Sequence, residues 1–184
     1  MISFSSIKET DRGFLYDLYI ATQRRDPIEL DHRDTQKNAF FLRQQFSIKL
    51  QHYHQNYKCA DFLLIKARGK PVGRLFLEER FFELRILDLS LMPRERNKGY
   101  RQKIIHGILR RAEETGRSIR VHVDKDSSLR QRYLDLGFKI TEHRGRYDFM
   151  QWVTEVNVSK NYSITDWENT LYPIQDKLTA DLSC

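Results

Sequence analysis

The sequence that decides the fold is Leu91-Met-Pro-Arg-Glu-Arg-Asn-Lys-Gly-Tyr-Arg101, which lies between a predicted strand and a predicted helix. Residues 84–92 alternate in the manner of a strand, and residues 99–114 repeat apolar side chains at helical spacing. A strand that leads into a helix through a turn directs unpaired backbone N–H groups and the positive end of the helix dipole at one place. The stretch therefore predicts an anion site, and phosphate is a common ligand of such a site.

Individual side chains of this stretch also suit a phosphate. Gly99 allows the backbone to approach an anion closely, and Arg94, Arg96 and Lys98 surround that position with positive charge. The stretch has neither the Gly-Lys-Ser/Thr of a Walker loop nor the G-x-G-x-x-G of a dinucleotide fold. The pattern thus favours a phosphate-bearing ligand and excludes those two nucleotide-binding motifs.

The segments on both sides of this stretch are predicted to be strands. Residues 61–67 and 72–78 form an antiparallel meander with residues 84–92. Beyond the helix, Gly116 ends the helical pattern and residues 118–123 read as a strand. A strand, a basic loop, a helix and a second strand in this order form a crossover, which joins parallel strands.

Further elements are predicted towards both ends of the chain. They are an edge strand over residues 2–7, a helix over residues 12–24 capped by Asp11, a second helix from Asp34 or Thr35, a short helix capped by Ser127 and ended by Gly137, and strands over residues 138–143 and 147–153. The residues after 153 change to an acidic composition. We therefore expect one domain over residues 1–153 and an acidic extension over residues 154–184.

The charge of the chain is unevenly distributed. The net charge is +7, and residues 94–120 are strongly basic. Such a stretch suits a phosphate-bearing partner, either a nucleotide cofactor or a nucleic acid, although a solvated helix face is the alternative. No apolar run approaches the length of a membrane helix, and the N-terminus lacks a signal-peptide layout. We expect no membrane partner, a cytoplasmic location, and reduced thiols at Cys59 and Cys184.

Two motifs together resemble the GCN5-related N-acetyltransferase (GNAT) family. The family signature Q/R-x-x-G-x-G/A, on a loop between a strand and a helix, is matched here by Arg96 and Gly99. A second family feature, a helical tyrosine shortly before Leu-Gly-Phe, is matched by Tyr133-Leu-Asp-Leu-Gly137-Phe138. Both motifs lie on the expected elements and in the expected order, from about Asp61 to Trp152.

The resemblance implies a fold, a cofactor and an activity. The fold is α/β (α+β), with a mixed, mostly antiparallel central sheet of six to seven strands and about four flanking helices. The cofactor is acetyl-coenzyme A, which serves as acyl donor. The activity is transfer of the acetyl group to a primary amine of a small molecule or protein, by a monomer or homodimer. No metal is implied.

The resemblance also implies roles for particular residues. Leu89, Ser90 and Leu91 hold the pantetheine arm, and a backbone N–H near Leu91 stabilises the oxyanion. The remaining cofactor contacts come from the loop and from one later position: Arg96, Asn97, Lys98, Gly99, Tyr100, Arg101 and Ser127. Tyr133 protonates the departing thiolate, unless it only packs. The candidates for the base are Asp88, for which the alternative is an ion pair with a basic neighbour, and His122, for which the alternative is a hydrogen-bonded residue of the strand.

The sequence departs from the family pattern at two of these positions. Arg101 replaces the last glycine or alanine of the signature, so its side chain either crowds the pyrophosphate or adds a positive charge to it. Ser127 replaces a frequent asparagine. Two alternatives therefore stay open: a binding or regulatory module of the same fold with weak or no catalysis, and an acyltransferase whose acceptor is attached to a nucleic acid. The acceptor pocket of the family corresponds here to Phe40, Phe41, Gln45, His52 and Tyr147, unless these residues only pack in the core.

Overall fold

A computed structural model describes residues 1–23 and 35–154 of the chain. Its helices and strands are β1 (Ile2–Ser6), α1 (Arg12–Gln23), α2 (Thr35–Asn56), β2 (Ala60–Ala67), β3 (Lys70–Glu79), β4 (Glu83–Leu91), α3 (Tyr100–Thr115), β5 (Ser118–Asp124), α4 (Ser128–Asp135), β6 (Lys139–Arg144) and β7 (Tyr147–Trp152). The strands follow the order β1-β2-β3-β4-β5-β7-β6 in a seven-stranded sheet. The predicted α/β class, with a mixed and mostly antiparallel sheet, is confirmed.

One compact unit comprises Met1–Phe76 and Asp88–Tyr100. In it, β1 pairs antiparallel with β2, and α1 packs on α2 through a core of Leu15, Tyr19, Phe46 and Leu64. These residues meet because apolar side chains three and four positions apart share one face of a helix. The residues of β3 from Val72 to Phe76 are buried, as expected for a strand with a neighbour on each side.

A second compact unit comprises Leu77–Leu87 and the described residues from Arg101. In it, β4 and β5 pair in parallel, from Glu83 with Ser118 to Ile86 with Val121. The predicted crossover is therefore confirmed, and α3 forms it. The helix buries the predicted apolar face, which consists of Ile104, Ile105, Ile108, Leu109 and Ala112. β7 pairs antiparallel with both β5 and β6.

Several local predictions need correction. Asp11 does not cap α1, because it ends a 3-10 turn and its carboxylate accepts the Lys8 backbone N–H at 2.9 Å. Helix α3 begins at Tyr100 instead of Gly99, since Gly99 has a φ of 74°. Cys59 is disulfide-bonded, so the expectation of a reduced thiol there is wrong, and Cys184 lies outside the described residues.

Two other predictions lie beyond what the structure describes. The acidic extension falls almost wholly outside the described residues, as does the predicted start of the second helix at Asp34. The prediction of one domain over residues 1–153 stays a prediction.

Candidate functional site

The loop after β4 is a single helical turn that ends in a left-handed glycine. Pro93–Lys98 forms a 3-10 turn with proline at its start, and Gly99 closes it with φ 74° and ψ 3°. The Met92 N–H donates to the Val72 carbonyl at 2.9 Å, which fixes the start of the turn to β3. Because α3 begins directly after Gly99 and has no acidic residue in its first turn, the unpaired N–H groups of that turn lie in an electropositive setting.

Gly99 is needed for its backbone angle. A residue with a side chain rarely adopts a φ of 74°. The surroundings do not require a glycine, because a Cβ placed on Gly99 would meet no atom within 4 Å. The space beside Gly99 is therefore open to a ligand.

The loop carries its own counterion, which the sequence did not indicate. Lys98 Nζ donates to Glu95 Oε2 at 2.9 Å, and Arg94 Nε lies 3.9 Å from Glu95 Oε1. Arg96 folds back, and its Nε donates to the Leu91 carbonyl at 3.3 Å. The exposed Lys98–Glu95 pair is worth little in water, so Lys98 can exchange Glu95 for a phosphate at small cost.

The end of β4 is held tightly against β3. Leu89 and Leu91 are buried, and the Ser90 hydroxyl donates to Asp88 Oδ1 at 2.6 Å. A Cβ on Gly73 of β3 would lie 2.3 Å from the Ser90 carbonyl oxygen and 2.6 Å from Leu91 Cδ2. Gly73 thus permits a close backbone approach that fixes the predicted pantetheine strand, and its role was missed at the sequence level.

Asp88 is committed to an ion pair. The Arg74 guanidinium donates to Asp88 Oδ2 through both Nε, at 2.9 Å, and a terminal nitrogen, at 2.5 Å. Burial raises the pKa of Asp88, but Arg74, the Ser90 hydroxyl and Lys49 together bring that pKa below its usual value. The alternative reading of Asp88, as the partner of a basic neighbour, is the one the structure favours, because a carboxylate held in this way is a weak base.

His122, the other candidate for the base, is exposed, unlike the half-buried Asp88. It lies on the exposed face of β5, and its ring packs on Phe149 of β7 with centroids 3.8 Å apart. Desolvation lowers the pKa of His122, and three neighbouring arginines, Arg85, Arg144 and Arg120, lower it further, whereas Glu142 raises it. A lowered pKa favours the neutral imidazole, which is the form that can accept a proton.

Tyr133 and Ser127 belong to the same helix. Ser127 caps α4, since its hydroxyl accepts the Leu129 N–H at 3.2 Å, and this predicted cap is confirmed. Tyr133 is buried, and its ring meets Phe138 edge to face at 5.0 Å. The packing suggested as the alternative for Tyr133 is thus present, and it does not decide the role of the phenol.

Three arginines of the basic stretch are paired with carboxylates within the second unit. Arg111 and Arg117 both donate to Glu79, and Arg120 pairs with Glu83 at 3.0 Å. Arg101 is half-buried in the first turn of α3.

The sequence-predicted site residues fall into two groups. Asp88 to Leu91 and Arg96 to Tyr100 are neighbours in the first unit, on β4 and its loop. Arg101, His122, Ser127 and Tyr133 belong to the second unit, and each is described there.

Of the predicted acceptor residues, Phe40, Phe41 and Tyr147 are exposed rather than packed in the core.

No group of three or more metal-binding side chains lies together in the part of the chain that the structure describes. None of the helices described there has the length and hydropathy to span a membrane.

No protein-family model and no curated protein matches the sequence. Solved structures match it by fold. The PaiA N-acetyltransferase of Thermoplasma acidophilum, in complex with coenzyme A, has a TM-score of 0.62 at 18% identity, over 84% of this chain and 99% of that one. The ribosomal-protein-S18-alanine N-acetyltransferase of Escherichia coli has 0.56 at 14%, over 88% and 100%. The N-acetyltransferase PseH of Campylobacter jejuni, in complex with acetyl coenzyme A, has 0.53 at 12%, over 83% and 99%.

These matches span almost the whole of each solved chain. At these identities the matches show the fold of the chain. The chain has the fold of the GCN5-related N-acetyltransferases.

Proposed function

We propose that this protein is an acyltransferase that moves the acetyl group of acetyl-coenzyme A to a primary amine of a small molecule or protein. The observation that carries the proposal is the turn Pro93–Lys98, closed by Gly99 in the left-handed region and followed at once by α3. This arrangement leaves N–H groups and helix-dipole charge available to a pyrophosphate. Solved proteins of the same fold include two with coenzyme A or acetyl coenzyme A bound, which supports the same ligand here.

In this proposal the loop binds the pyrophosphate and β4 the pantetheine. Arg96, Asn97, Lys98, Gly99 and Tyr100 form the loop contacts, with Arg101 beside them, and Leu89, Ser90 and Leu91 supply the strand contacts. The Met92 N–H is already donated to Val72, so the oxyanion donor near Leu91 is another backbone N–H. Ser127 acts through its cap, by fixing the start of α4.

The reaction needs a group that accepts a proton from the amine and a group that returns one to the thiolate. We assign the first role to His122 in preference to Asp88, because the pKa of His122 is lowered and Asp88 is held by Arg74. We assign the second role to Tyr133. Attack of the neutral amine on the thioester carbonyl then yields the amide and free coenzyme A without a covalent enzyme intermediate.

Release of the coenzyme A thiol is the direct test of this activity. The chain is incubated with acetyl-coenzyme A and a panel of primary amines, and free thiol is followed with a chromogenic disulfide. Amine-dependent release that is lost in a Gly99→Asp variant supports the proposal. Saturable cofactor binding by calorimetry without release by any amine leaves the binding-module alternative, and no binding at millimolar cofactor contradicts both.

That alternative, a module of the same fold with weak or no catalysis, has one specific observation in its favour. The only carboxylate among the three proposed catalytic residues is committed to Arg74, so catalysis depends on His122 and Tyr133 alone. Double replacement of these two residues distinguishes the readings, because a binding module keeps its cofactor affinity and has no turnover to lose.

An acceptor attached to a nucleic acid has less support. Three arginines of the basic stretch are paired with Glu79 and Glu83. Binding of transfer RNA whose affinity falls steeply with salt would restore this reading. A cytoplasmic location and a monomeric or homodimeric state remain part of the proposal.

A further inference from the structure

A carboxylate on β7 is fully buried in a place that the proposed reaction does not use. Asp148 has no exposed surface, and both of its oxygens are occupied. Its Oδ2 accepts from Arg130 Nε of α4 at 2.6 Å, and its Oδ1 accepts from His143 Nδ1 of β6 at 2.6 Å. A buried carboxylate with two such donors rigidly orients both of them.

A β-bulge delivers His143 to this carboxylate. The pairing of β6 with β7 shifts by one residue at Thr141, between the pairs Ile140–Met150 and Glu142–Phe149. Without the extra residue, Glu142 would lie opposite Asp148 and two carboxylates would repel each other. The Thr141 hydroxyl donates to the Phe149 carbonyl at 3.2 Å and holds the bulge. Bulges that re-aim one side chain are frequent near functional sites.

The oriented groups line an open cavity of about 460 Å³, whose walls are Lys125, Arg130, His143 and Asp148. The Lys125 ammonium and the terminal nitrogens of Arg130 have no hydrogen-bond partner among the residues that the structure describes. Asp148 balances one of these two permanent cations, so the cavity keeps a net positive charge. Its free polar groups are therefore mainly donors, which suit an oxyanion.

The orientation of His143 suits an oxyanion that both accepts and donates hydrogen bonds. Because Nδ1 donates to an ionised carboxylate, Nε2 is the ring atom left for a ligand, and it accepts in the neutral ring and donates in the protonated one. A phosphate group near neutral pH carries a proton for part of the time, since its second pKa is about 6, and can donate that proton to Nε2. Sulfate has no such proton.

We propose that Lys125, Arg130 and His143 bind a phosphate group, inorganic or on a monoester, with Asp148 as the residue that positions Arg130 and His143. The cations bind the phosphate oxygens, and His143 Nε2 forms a further hydrogen bond with the phosphate. This site does not depend on the proposed acetyl transfer, so the two can fail separately.

Nuclear magnetic resonance of the histidine rings tests the site directly. The His143 ring signal is assigned by its loss in His143→Gln, and inorganic phosphate is added to the full chain at constant ionic strength. We expect a saturable shift of the His143 signal. Lys125→Ala should weaken phosphate binding about tenfold, as the loss of a charged hydrogen bond implies. Lys139→Ala is the control and should leave phosphate binding unchanged, because it removes an exposed lysine of β6, the strand that carries His143.

The contrary outcomes are equally specific. Absence of a saturable shift at tens of millimolar phosphate overturns the site, and equal binding of sulfate overturns its assignment to phosphate. Coenzyme A and dephospho-coenzyme A then identify the source of a bound phosphate. A His143 shift with coenzyme A alone assigns the site to the 3′-phosphate of the cofactor, and its absence with both assigns it to a separate phosphate ligand.

Discussion

Arg74 and Asp88 form a buried ion pair across the neighbouring strands β3 and β4, with Arg74 Nε 2.9 Å from Asp88 Oδ2. The Ser90 hydroxyl donates to the other oxygen of the same carboxylate at 2.6 Å. The pair explains how an arginine that is 3% exposed is tolerated inside the first unit. It also gives Asp88 a structural role at the strand proposed to bind the cofactor.

Replacement of Asp88 by Asn should therefore cost stability, by about 3–5 kcal/mol, because it leaves the Arg74 charge buried and unpaired. The folded-state pKa of Asp88 is lowered, so the stability that ionisation contributes is complete above the unfolded-state pKa of about 3.9 and is lost as pH falls through the folded one. Wild type should lose thermal stability in acid more steeply than Asp88→Asn. Melting curves between neutral and acid pH measure this, with exposed Asp126→Asn as control.

Two substitutions of Gly99, by Asn and by Asp, differ in charge but hardly in shape, so they test the effect of charge at this position. Asn and Asp both tolerate a left-handed backbone better than other side chains, and a Cβ here meets no atom within 4 Å. We expect Gly99→Asn to keep most of its affinity for acetyl-coenzyme A and Gly99→Asp to lose at least about tenfold, through repulsion of the pyrophosphate. Calorimetry of both variants decides, and equal affinities would contradict a phosphate site at this loop.

Arg101 should help to bind the cofactor. It lies in the first turn of α3, where a cation adds to the unpaired N–H groups, and we expect Arg101→Ala to weaken acetyl-coenzyme A binding about tenfold. Arg110→Ala is the matched control, since it removes an exposed arginine of the same helix. Tighter binding by Arg101→Ala would mean that this side chain obstructs the pyrophosphate.

His122 should control the acid limb of the pH profile. If it accepts the amine proton, kcat/KM rises with pH through an inflection that lies below the ordinary histidine pKa of about 6.5, because desolvation and nearby arginines lower the pKa of His122. In His122→Gln the rate should fall about 10²-fold or more and this inflection should vanish. A preserved inflection in the variant would assign it to another group.

Tyr133 can be tested with little change in packing. Tyr133→Phe keeps the edge-to-face contact with Phe138 and removes only the hydroxyl. We expect kcat to fall about 10²-fold or more while the affinity for acetyl-coenzyme A changes little. Unchanged kcat, measured by thiol release at saturating cofactor, would reduce Tyr133 to a packing residue.

Periodicity and local turn chemistry were sufficient for much of the fold. The alternation of β4, the apolar face of α3 and the cap at Ser127 were all predicted from neighbouring residues, and the structure confirms them. These features depend on contacts within a few positions of the chain, which is the range that a sequence pattern encodes.

Partnerships between distant residues could not be read in the same way. Arg74 and Asp88, Glu79 and Arg111, and Asp148 and Arg130 meet because strands and helices pair in one register, and a slip by one residue would separate them. No sequence pattern indicates the bulge at Thr141, because residues 138–143 read as an uninterrupted strand.

The sequence by itself determined the order of the elements and the basic, glycine-containing turn before α3, because both follow from local backbone preference and side-chain spacing. The tertiary structure alone decided which charges stay available. It paired Asp88 with Arg74, and Arg111 and Arg117 with Glu79. Among the described residues, Glu95 is the only acidic side chain that forms an ion pair with the cations of the loop after β4. The physical reason is that a charge acts on a ligand only when it is not already neutralised, and neutralisation depends on which residues the sheet register brings within hydrogen-bonding distance.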